Sequence, residues 1–101
     1  MNPTSKLLYM SAELKVRDTP LLQRYSAAAQ PMLRAHGGKV LAVSFSGADT
    51  IEGDPTNALH LIQLWPSRIA FDTFWASPEY AAIKPLRHAA CDSRITVFES
   101  S

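Results

Sequence analysis

With one cysteine, Cys91, the chain cannot close an internal disulfide and must rely on packing for its stability. It also lacks an excess of either charge: ten basic residues meet nine acidic ones, interleaved, for a net charge of +1. Without a basic stripe there is no electrostatic footprint for nucleic acid, and none is expected as a partner. The longest apolar runs, around Leu59–Leu64 and Leu7–Met10, fall far short of the ~20 residues that span a bilayer, so no membrane partner is expected either. Met1-Asn2-Pro3-Thr4-Ser5-Lys6 does not follow the basic-then-apolar order of a signal peptide, and the expected compartment is the cytoplasm. Glycines are few, and Gly37-Gly38 precedes a strand pattern instead of opening a helix, which excludes a phosphate cradle there. No histidine or carboxylate pair stands at metal-ligand spacing, and no serine sits on a nucleophile elbow. Neither a metal nor a cofactor is therefore expected.

What is present is a clear order of patterns. At 101 residues and 47% hydrophobic content, residues 1–101 form a single domain around one core. From Lys6 to Val16 the chain alternates, with Leu8, Met10, Ala12, Leu14 and Val16 on one face and Leu7, Tyr9, Ser11, Glu13 and Lys15 on the other, as in a strand. Asp18-Thr19-Pro20 supplies a helix cap followed by a first-turn proline. Helical spacing then runs from Leu21 to Ala35, with a kink expected at Pro31 and a stop at Gly37 in a left-handed conformation. Lys39 to Ser46 reads as a second strand with Leu41, Val43 and Phe45 on one side. Asn57 to Trp65 reads as a third, apolar on both faces: Leu59, Leu61 and Trp65 on one, Ile62 and Leu64 on the other. Ser67 caps a helix over Arg68–Ala76, and Ser77-Pro78 restarts helix that continues from Tyr80 to Ala90, disturbed at Pro85. Ser93 to Glu99 is the fourth strand. The order β-α-β-β-α-β predicts an α+β, ferredoxin-like four-stranded antiparallel sheet with the first and third strands central.

Helices that cover one face of such a sheet leave the other bare. Here that bare face carries Tyr9 and Leu7 or their alternates, with one side of the third strand, which argues for a homodimer paired through its sheet faces.

The segments Tyr25–Ala29, Leu33-Arg34-Ala35-His36-Gly37-Gly38-Lys39, Ile51-Glu52-Gly53-Asp54, Trp65-Pro66-Ser67 and Phe74-Trp75-Ala76-Ser77-Pro78-Glu79-Tyr80, on to Leu86-Arg87, resemble the DUF1330 family of small bacterial proteins of unknown function. The likeness runs from about Tyr9 to Phe98. One departure is Asp54-Pro55-Thr56-Asn57, where the family often has an aromatic residue after its Glu-Gly pair. The resemblance implies a ferredoxin-like protomer of the dimeric α/β-barrel superfamily. That superfamily includes cofactor-free monooxygenases, haem-using proteins and isomerase-like members, so it selects no single reaction.

Several residues carry usable chemistry. His36, at a helix end, is either a cap or a general base oriented by Glu52 or Asp54. Glu52 and Asp54 flank Gly53 and either share a proton or are solvated turn residues. Arg87 either forms a structural ion pair or holds an anionic substrate. Tyr25, Trp75 and Tyr80 either pack the core or line a pocket between helices and sheet. His60 suits a packed or interface position, and Cys91 a half-buried apolar one. The expected catalytic set is His36, Glu52 and Arg87, with Tyr25, Asp54, Trp75 and Tyr80 binding a ligand. The expected function is a small cofactor-independent enzyme acting on a hydrophobic or carbonyl-bearing metabolite; the alternative is a non-catalytic dimeric module that binds or senses a small molecule.

Overall fold

The computed structural model describes residues 6–101; the stretch 1–5, read above for a targeting signal, lies outside the described residues. Seven elements follow one another: β1 (Leu8–Val16), α1 (Thr19–Ala35), β2 (Lys39–Ser44), β3 (Leu59–Trp65), α2 (Arg68–Trp75), α3 (Pro78–Ala90) and β4 (Cys91–Glu99). The strands form one antiparallel sheet in the order β2-β3-β1-β4, which puts the two most apolar strands inside. No helix among the described residues is long and apolar enough to cross a membrane.

Alternation in β1 decides which face meets the helices. Leu8, Met10, Ala12 and Leu14 are all buried, and opposite them on β3 stand Trp65, Gln63, Leu61 and Leu59. The intervening residues point to the bare face. There the register divides the surface along the strands. Tyr9 lies opposite Leu64 and Phe98, stacked on the latter at 5.6 Å between ring centroids, and Ser11 lies opposite Ile62. Further along, Glu13 lies opposite His60 and Arg94, with 3.3 Å between the Glu13 carboxylate and His60 Nε2, and Lys15 lies opposite Asp92. One end of the bare face is apolar and the other is charged.

The helices begin where local chemistry starts them. The Asp18 carboxylate accepts the Leu21 amide at 3.0 Å, and Ser67 Oγ accepts the Ala70 amide at 3.1 Å. Gly37, at φ +89°, closes α1 in the left-handed region. Both α1 and α3 run as single elements through exposed Pro31 and Pro85, so neither proline interrupts its helix. Buried Ser77 does two jobs: its hydroxyl donates to the Phe74 carbonyl at 2.8 Å and accepts the Tyr80 amide at 3.2 Å. One side chain thus ends α2 and starts α3. The tight corner brings Trp75 and Tyr80 to 5.1 Å between ring centroids.

The second strand departs from simple alternation. A bulge between Val40 and Ala42 leaves Leu41 without a partner on β3. An extra residue in one strand breaks the period of two, so residues three apart can share a face. Val40 and Val43 therefore face the same cavity as Phe45, in place of the expected set of Leu41, Val43 and Phe45.

Candidate functional site

Between the helices and the sheet lies a cavity of about 810 Å³. Its sheet side is Met10, Ala12 and Leu14 of β1, Leu59, Leu61 and Gln63 of β3, and Val40 and Val43 of β2. Its helix side includes Leu22, Tyr25, Ala29 and Leu33 of α1, Phe71, Phe74 and Trp75 of α2, and Tyr80 and Arg87 of α3. Most of this surface is aliphatic or aromatic, as small-molecule sites usually are.

The polar groups converge through helix spacing. Tyr80 and Arg87 stand seven residues apart, two turns along one face of α3. Tyr25 reaches them from α1, with its hydroxyl 2.7 Å from that of Tyr80. Arg87 donates from Nη1 to Ser93 Oγ on β4 at 2.8 Å. Its guanidinium carbon lies 5.5 Å from the centre of the Trp75 ring and 5.9 Å from that of Tyr25. Lys84 Nζ sits 4.6 Å from the same Trp75 ring. Cations at these distances are attracted by the ring faces.

Arg87 is only 5% exposed, yet among the described residues no carboxylate pairs with it. Its Nε is buried without any hydrogen-bond partner. Leaving a donor of this kind unmet costs about 1–3 kcal/mol, and more for a charged group. Burial opposes the guanidinium's charge, but Tyr80 and then Tyr25 outweigh burial and keep its pKa above the ordinary arginine value. The side chain is therefore cationic at any working pH.

Burial first, and then the Tyr80 oxygen, push the Tyr25 hydroxyl well above its ordinary pKa of 10.0; Arg87 pulls the other way and loses. Tyr25 accordingly serves as a hydrogen-bond donor or acceptor and not as a base. The folded chain holds a proton that the unfolded chain releases above about pH 10. The stability linked to Tyr25 is whole below that pH and is lost as pH rises toward the folded pKa. Ultraviolet titration is expected to show Tyr25 resisting ionisation until the chain unfolds, and Tyr25→Phe to remove that delayed contribution. A normal titration of all three tyrosines would show that Tyr25 is not so enclosed.

The expected residues separate into two groups. Tyr25, Trp75, Tyr80 and Arg87 come together at the cavity; His36, Glu52 and Asp54 do not line it. His36 Nδ1 bonds the Met32 carbonyl of its own helix at 2.9 Å, and its ring meets Phe74 edge-on at 5.7 Å. A carbonyl one turn back is the nearest acceptor a helix-end histidine has, so neither carboxylate is needed to orient it. Glu52 and Asp54 are exposed in a bend around Gly53, beside an Ile51 that is itself 94% exposed. The loop reaches the cavity through Phe45, Gly47 and Asn57 at its two ends, not through Glu52 or Asp54.

Gln63 and Ser93 were not anticipated. Gln63 is a buried polar residue in register with Leu59, Leu61 and Trp65, and a lone amide on an otherwise apolar strand face is the signal that marks it. Its Oε1 accepts from Trp65 Nε1 at 3.0 Å. Indole nitrogen can only donate, which fixes the orientation of the Gln63 amide: its oxygen turns to Trp65 and its nitrogen keeps protons to give.

Comparison with known proteins fits this architecture. A family model described as a domain of unknown function, DUF1330, matches residues 8–101. The chain belongs to the DUF1330 family. In sequence, no curated protein matches this DUF1330 chain. In structure it is similar to RPA0582, a protein of unknown function from Rhodopseudomonas palustris. That match has a TM-score of 0.81 at 19% identity, over 97% of this chain and 86% of the other. It is also similar to SnoaB, a cofactor-independent oxygenase from Streptomyces nogalater, with a TM-score of 0.69 at 16% identity over 95% and 94% of the two chains. Rv0793 from Mycobacterium tuberculosis matches with a TM-score of 0.66 at 20% identity over 94% and 95%. At these identities the likeness establishes a shared ferredoxin-like fold.

Proposed function

We propose that this DUF1330 protein is a small enzyme, working without a bound cofactor, on a hydrophobic carbonyl-bearing metabolite held between its sheet and helices. The observation that carries the proposal is Arg87: a guanidinium buried beside a large apolar cavity, with one donor unmet and no carboxylate to neutralise it. Such a group is poised to stabilise negative charge that develops on a substrate oxygen, and the Tyr25–Tyr80 hydroxyl pair can share that charge. No carboxylate or imidazole lines the cavity among the described residues. A proton released from carbon next to the carbonyl therefore leaves to water, and the protein's part is to hold the anion formed. The cofactor-independent oxygenase SnoaB, with the same fold, supports a reaction of this economy. The role falls to Arg87 and the tyrosines; His36, Glu52 and Asp54 stand away from the cavity and have no part in it.

The test is a thermal-shift screen of carbonyl-bearing aromatic compounds, followed by mass spectrometry of each hit incubated with protein. At least one hit is expected to be consumed, and Arg87→Ala to slow its consumption by about 100-fold or more, the usual effect of losing one oxyanion donor. Hits that bind and persist unchanged would favour the binding or sensing module instead. The proposal also includes a cytoplasmic setting and a second copy of the chain paired on the bare sheet face. The apolar end of that face, with Leu7 46% and Phe98 56% exposed, supports such pairing.

A further inference from the structure

We infer that the cavity takes its ligand as an anion: a flat, largely apolar molecule bearing one carboxylate or phenolate-type oxygen group that pairs with Arg87. This rests on the cavity being the working site and narrows what enters it. The first ground is charge balance. Arg87 has only neutral company, the hydroxyls of Ser93, Tyr80 and Tyr25 and two ring faces, and none of them cancels a full positive charge. Lys84, against Trp75, adds a second positive charge to the same cluster. Nothing acidic lines the cavity among the described residues, so an entering anion meets no repulsion there.

The second ground is donor accounting. Arg87 can only donate. Gln63 turns its oxygen to Trp65 and offers its amide protons. The two tyrosine hydroxyls share one hydrogen bond, which uses one of their two protons and leaves the other to give. Arg87 and the tyrosine pair, which meet at one part of the cavity, therefore present donors together, and an oxyanion is the acceptor that can use them. Charge-assisted bonds of this kind are the strong ones, and Arg matches a planar oxyanion through two parallel bonds. The third ground is shape. Trp75, Tyr25 and Tyr80 offer ring faces and edges, against which a flat unsaturated body packs better than a branched one.

The experiment compares 2-naphthoate with 2-naphthamide, which share a ring system and differ in charge, and adds 4-nitrophenolate to separate phenolate from carboxylate recognition. Binding is read by Trp fluorescence and calorimetry. At least one anion is expected to bind about tenfold or more tightly than the amide. Arg87→Met should abolish that preference and Arg87→Lys should retain part of it. The preference in the unmodified protein is a test in itself, whatever happens to the folding of the variants. Equal affinity for acid and amide, or no binding by either anion at millimolar concentration, would overturn the inference. So would a charge preference that survives Arg87→Met in a folded protein. Anions that bind through Arg87 with no compound in the screen consumed would keep this inference and sink the enzymatic reading. Turnover of neutral carbonyl compounds without any anion preference would do the reverse.

Discussion

Trp65→Ala is expected to remove about 3–5 kcal/mol of stability, the range for emptying a buried tryptophan site. A domain of this size has only about 5–15 kcal/mol in total. Urea unfolding should therefore show a markedly lowered midpoint, close to zero denaturant where the unmodified protein lies at the low end of that range. The expectation rests on what the ring touches. Trp65 is fully buried, packs edge-on against Phe71 at 5.4 Å and against Phe74 at 5.0 Å, and anchors Gln63 through its indole nitrogen. It also explains a glycine. Gly38 does not have a positive φ, so its backbone would accept a side chain. A Cβ placed there, however, would lie 2.8 Å from three atoms of the Trp65 ring. With Phe71 and Phe74 also packed on the ring, it has little freedom to yield. Gly38→Ala should accordingly destabilise the protein, and should do so much less in a Trp65→Leu background, the non-additive signature of a direct contact. An unfolding midpoint for Trp65→Ala close to that of the unmodified protein would mean that this ring does not organise the core. Full additivity of the two changes would mean that the ring is not why position 38 is glycine.

The elements that proved legible are those whose cause is local. Alternation from Leu8 to Leu14 needs only the two-residue period of a strand, and Asp18, Ser67 and Ser77 need only reach an amide three residues on. The strand order also followed, because the two most apolar strands had to be the interior ones. The bulge at Leu41 was not legible, since whether a strand carries an extra residue depends on the partner across from it. The site divides in the same way. Tyr80 and Arg87 share a helix face, so once α3 exists they stand together, and Tyr25 meets them because α1 packs on α3. An ensemble of His36, Glu52 and Asp54 required the exposed loop after β2 to fold back onto a helix end. Its one buried apolar residue, Ala58, sits beside β3, and Ile51, next to the two carboxylates, is 94% exposed, so nothing draws that part of the loop inward. The double role of Ser77 and the forced orientation of Gln63 depend on tertiary neighbours, Phe74 and Trp65, and became visible only in three dimensions.

Phe98→Asp combined with Leu7→Asp is expected to convert a dimer of twice 11.1 kDa into an 11.1 kDa monomer, as measured by sedimentation at micromolar concentration. The apolar end of the bare face gathers Tyr9, Leu64, Phe98 and Ile62 by strand register, with Leu7 beside them by alternation. No helix covers that side. Twofold pairing would set this end against its own copy and leave Glu13, His60, Arg94 and Lys15 toward a wet rim, the polar border that interfaces usually have. Each substitution appears twice in such an interface, and each carboxylate would lose hydration worth several kcal/mol. The dissociation constant should therefore rise by about a thousandfold or more. Both positions are about half exposed in the protomer, so the variant should fold and keep its helix signal. The choice of residues separates lost pairing from lost structure. An unmodified protein that sediments only as an 11.1 kDa species would remove the second copy from the proposal. A variant still dimeric would move the interface away from this face.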